Sequence, residues 1–83
     1  MTNERMKALG EYEMLKKELF EIGITAGSHI ESVRDELGLR KDFLEVNFFR
    51  VKTLVEQLEK AQKKAKELER KISELEETYG FSK

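Results

Sequence analysis

The sequence predicts an all-α protein: an antiparallel helical hairpin with a short middle helix and a long C-terminal coiled-coil helix, joined to further copies in an oligomeric bundle. Three observations predict it. Val51, Leu54, Leu58, Ala61, Ala65, Leu68, Ile72, Leu75 and Tyr79 recur at alternating three- and four-residue spacing, which keeps one apolar seam on one side of an under-wound helix. The chain has no proline, so nothing interrupts a helix from Asp42 to Tyr79, roughly 57 Å long at the α-helical rise. Gly23, Gly27 and Gly38 fall between apolar-periodic segments, where glycine stops one helix and frees the chain to start another. The 83 residues read as a single domain.

The first helix is expected over residues 3–22. Its seam is Ala8, Tyr12, Leu15, Leu19 and Ile22, and Gly23 supplies a C-terminal stop after which Ile24 can fold back. A short helix follows over 28–37. Ser28 and Glu31 have the spacing of a capping box, in which hydroxyl and carboxylate satisfy free backbone N–H groups reciprocally, and Ile30, Val33 and Leu37 share one face. The long helix is expected over 42–79, with Asp42 as N-cap and Glu45 three positions on.

Packing the first helix on the early part of the long one aligns Ile22 with Leu44, Leu15 with Val51 and Ala8 with Leu58. Glu18 then meets Arg50 and Glu4 meets Lys64. Gly10, Ala8, Ala61 and Ala65 fall in one zone of close approach. In that register the first helix runs out near Lys64, and residues 65–79 project as uncovered coiled coil. Leaving such a stripe in water forgoes about 1.5 to 3 kcal/mol per large side chain, so a second chain is the expected cover. The self-association residues are Leu58, Ala61, Ala65, Leu68, Ile72 and Leu75, in a homodimer or a tetramer. Phe48, Phe49 and Val55, on the crowded apolar start of the long helix, are the candidates for contact with an unidentified protein partner.

Composition excludes several functions. Cysteine is absent, which removes disulfides, thiolate nucleophiles and Cys-ligated metals and fits a reducing cytoplasm. Lys and Arg total 16 against 17 Asp and Glu, a balance that argues against global attraction to nucleic acid or anionic lipid. No apolar run approaches the roughly 18 residues of a membrane span. His29 is the only histidine and has no third donor at a metal-site spacing. Glu74, Glu76 and Glu77 lie on a helix surface, without the enclosure that acid–base catalysis requires. No Gly-Lys-Ser/Thr phosphate loop is present. Catalytic residues, cofactor and metal are therefore not expected.

The expectation is a non-enzymatic protein–protein interaction module, an adaptor, assembly factor or small regulator, that self-associates through its C-terminal helix. The alternative is a small dimeric DNA-binding regulator. Residues 30–47 resemble a degenerate helix-turn-helix in outline, with Gly38 at the turn and Arg40 and Lys41 as its nucleic-acid candidates. Against it, Glu31, Asp35, Glu36, Asp42 and Glu45 offset the bases of that stretch. The basic cluster from Lys60 to Lys71 is laced with Glu67 and Glu69 and reads as a solvated face carrying ordinary i to i+4 pairs.

Overall fold

The computed structural model describes residues 2–38 and 42–81. Within them helix α1 (Thr2–Glu36) leads through a 3-10 turn (Phe43–Glu45) to helix α2 (Phe48–Tyr79), with no strand. The two long helices lie side by side in opposite directions. Arg5 near the start of α1 donates from Nη1 to the Tyr79 carbonyl at the end of α2, 2.6 Å away. At the other end the Asn47 N–H donates to the Glu36 carboxylate at 3.3 Å, and the Arg50 guanidinium lies 4.0 Å from that same carboxylate. The molecule is a rod of 63 × 16 × 15 Å.

The seam of α1 explains why one helix replaces two. Beyond Ile22 the same spacing runs on through Ala26, His29, Val33 and Glu36, and each of these is buried or half-buried. Neither Gly23 nor Gly27 takes a positive φ, and the expected helix end at Gly23 and separate short helix at 28–37 do not form. Ser28 consequently sits mid-helix, and the capping box is not used. Two glycines inside a helix cost about 2 kcal/mol together relative to alanine. Covering one or two large seam residues of α2 recovers that.

Continuity of α1 also changes the register. Glu18 pairs with Lys64 at 3.8 Å, not with Arg50. Tyr12 and Leu15 pack on Leu68 and Ile72 as the buried core, flanked by Leu19, Ile22, Leu75 and Phe81. The segment 65–79, expected to project, is therefore packed along the first half of α1. Ala61 and Ala65 lie beside Leu19, Ile22 and Gly23 and not beside Ala8, and a Cβ on Gly10 would meet nothing within 4 Å, so no close helix approach explains that glycine.

The ends of α2 have clear local causes. Asp42 does cap, but what it caps is the 3-10 turn, its carboxylate accepting the Leu44 N–H at 3.4 Å. α2 itself starts six residues later than expected, with Asn47 accepting the Arg50 N–H at 3.0 Å. At the other end Gly80 adopts φ 69°, where a side chain would be strained, and its N–H bonds the Glu76 carbonyl. That left-handed turn sends Phe81 back onto Tyr12, with ring centroids 4.9 Å apart, and the Arg5 guanidinium covers Phe81 from 5.2 Å.

The Tyr12 hydroxyl, buried beneath this lid, donates to the Glu76 carboxylate at 2.9 Å. Burial first, and then the neighbouring carboxylate, push the phenol above its usual value near 10. The folded-state value is raised, so the stability linked to Tyr12 is complete below the unfolded value and is lost as pH rises through the folded one. Melting curves followed by circular dichroism should show a lower neutral-pH midpoint for Tyr12→Phe but a shallower alkaline decline than in the parent. Parallel declines would show that the phenol does not set the alkaline limit.

Candidate docking surface

The shared seam divides the rod into two unlike long faces. On one side the flanking positions are Glu11, Glu18, Thr25 and Ser32 of α1 against Arg50, Gln57, Lys64 and Lys71 of α2. Both rows are polar and of matching charge, as the Glu18–Lys64 pair illustrates. In an antiparallel helix pair these positions face one another, and the groove on this side, about 350 Å³, has the charged rim of Glu18, Glu21, Lys60 and Lys64 around Ile22 and Ala61.

The opposite side is different. Its flanking positions are Gly23, Ile30 and Leu37 of α1 and Phe48, Val55 and Gln62 of α2, with Phe20 and Gly27 at the outer edge of α1. Between them runs an open groove of about 360 Å³. Leu19, Ile22, Ala26, Leu58, Ala61 and Ala65 form its floor and walls, and Gly23, Ile30, Val55, Glu59 and Gln62 its rim. Small residues on the floor leave the groove open, and a Cβ added at Gly23 or Gly27 would meet nothing within 4 Å. Phe20 is 69% exposed, Phe48 55% and Ile30 48%. Large apolar side chains gathered on one face of a monomer mark an interaction surface far more often than scattered ones do.

The expected self-association residues separate into two groups. Leu68 and Ile72 are buried in the rod's own core and Leu75 packs against it, so the argument from an uncovered stripe does not hold for these three. Leu58, Ala61 and Ala65 line the open groove. Of the partner candidates, Val55 lines the groove and Phe48 flanks it on the same side, whereas Phe49, 81% exposed, lies on the outer face of α2. Gly23, Ala26 and Ile30 were absent from the expected set. The signal that would have found them is the three-four spacing of α1 continuing through Ala26, His29 and Val33.

Among the described residues of the helix-turn-helix outline at 30–47, residues 30–36 belong to α1 and a 3-10 turn, Phe43–Glu45, precedes Phe48, so the outline's two short helices are not seen there. Arg40 and Lys41 lie outside the described residues. Among the described residues no three His, Cys, Asp or Glu side chains gather as a metal site, and no helix is long and apolar enough to cross a membrane. His29 occupies a half-buried seam position in the last third of α1. No family model, curated protein or solved structure matches the chain.

Proposed function

We propose that this chain is a non-enzymatic protein–protein interaction module: an antiparallel helical hairpin whose apolar face, near the connection between its helices, receives helical surface from another polypeptide. An adaptor, assembly factor or small regulator would use such a face. The observation that carries the reading is the asymmetry of the rod. Its far half closes over Tyr12, Leu15, Leu68 and Ile72, while its near half leaves Phe20, Ile30, Phe48 and Val55 in solvent around an open groove. The module is taken to work in the cytoplasm, where a chain without cysteine meets no disulfide requirement.

The test is site-specific photo-crosslinking in the native host. A photoreactive residue at Val55 should give a covalent adduct with a polypeptide, whereas one at Glu11, on the polar face, should give none. Equal labelling from both positions, or none from either, would count against a docking role for this face.

A further inference from the structure

We infer that the occupant of the groove is a second copy of this chain, laid face to face across it with the interhelical connections at opposite ends of the assembly. The inference rests on the docking reading above and adds the partner's identity and direction.

Area is the first argument. The chain exposes 6975 Å², whereas a compact monomer of 9.8 kDa exposes about 5,200 Å². The excess, roughly 1,800 Å², arises because each helix of a two-helix rod has a single neighbour. A stable pairwise interface takes about 800 Å² from each partner. Stacking two rods supplies the missing neighbours, and the result is a four-helix bundle over the groove-bearing halves.

Charge at the rim then chooses the direction. Two arrangements put groove on groove. With both connections at one end, α1 of one copy lies over α2 of the other at the same height along the rod. Since Glu36 stands beside Arg50 and Asn47, Arg34 on the outer edge of α1 would then face Lys52 on the outer edge of α2, like against like. With the connections at opposite ends, α2 lies on α2. A two-fold axis through the centre of the apolar stretch crosses α2 near Val55 and Glu56 and α1 near Ser28. Lys52 of each copy then meets Glu59 of the other, twice by symmetry. The same axis sets Phe20 of one copy against Leu37 of the other, and Ile30 over the open space at Gly27. A side chain wider than glycine at that crossing would hold the helices apart.

The experiment is analytical ultracentrifugation of the full chain over a dilution series, with circular dichroism confirming that each variant keeps its helix content. The parent should dimerise. Lys52→Glu and Glu59→Lys, both at exposed positions, should each weaken the dimer roughly tenfold, since each sets like charges together at two places. The combined exchange Lys52→Glu/Glu59→Lys should restore parental affinity. Tighter association of Lys52→Glu alone would overturn the inference in favour of connections at one end, because the carboxylate introduced at that position would then meet Arg34. A parent that stays monomeric throughout would also overturn it. In that case an adduct from Val55 in the host would leave the docking reading standing with a different polypeptide as occupant, and its absence would remove both.

Discussion

Leu68→Asp should unfold the rod. Leu68 is 2% exposed and packs with Tyr12, Leu15 and Ile72 at the centre of the buried core. Shortening a buried leucine to alanine costs about 2 to 5 kcal/mol, and a carboxylate there adds the penalty of burying a charge in an apolar core. A chain of this length has a total stability of about 4 to 12 kcal/mol, so one substitution removes most of it. Circular dichroism should report loss of most helical signal, and Leu68→Ala should retain the helices with a much lower urea midpoint. The sequence pattern alone leads to a different result, a folded monomer released from a dimer. A Leu68→Asp chain that keeps its helices and loses only a partner would show that α1 does not cover this part of α2.

Replacing Gly10, Gly23 and Gly27 together by alanine should stabilise the monomer by about 2 to 3 kcal/mol, since each replacement removes the unfolded-chain freedom of glycine without adding a clash, a gain approaching 1 kcal/mol apiece. All three lie inside α1, none has a positive φ, and a Cβ at each meets open space. Urea unfolding at the lowest concentration that circular dichroism allows gives the value for a single copy. A loss of stability would mean that α1 does break near Gly23 in solution. Gly80→Ala is the contrasting case, since its φ of 69° is strained for any side chain, and it should destabilise the Phe81 lid.

Much of the fold is legible residue by residue. The seam of α2 from Val51 to Tyr79 appears in the structure as the face turned to α1. The first five seam positions of α1 are equally plain. What misled was the punctuation. Gly23, Gly27, the Ser28–Glu31 spacing and Gly38 each have the composition of a helix boundary, yet only Gly38 stands near one. Capping motifs describe what a helix end can use, and a chain ends its helix there only when no larger gain lies in continuing. Here the continuation carries Ala26 and Val33 into the interface and shifts the first helix along its partner until Leu68 and Ile72 are covered. Ala26, His29 and Glu36 are weak seam markers, because one is small and two are polar. Periodicity weighted by hydrophobicity therefore fades where the helix persists.

The candidate site was half legible for the same reason. Leu58, Ala61, Ala65, Phe48 and Val55 could be picked as apolar positions beyond what a single contact needs. Their partners across the groove, Gly23, Ala26 and Ile30, required knowing that α1 runs on past Ile22.

The sequence by itself determined that the protein is helical, that its second helix carries an unbroken apolar seam ending at Tyr79, and that apolar surface would exceed what one helix contact covers. Spacing of side chains is a local property, set by the period of the helix. Only the tertiary structure decided where the first helix stops, which residues oppose one another, and so which half of the seam is buried and which is left open. Those outcomes depend on sliding one helix against another. The choice compares burial summed over the whole interface with about 2 kcal/mol of local glycine cost, and no window of the sequence contains that comparison.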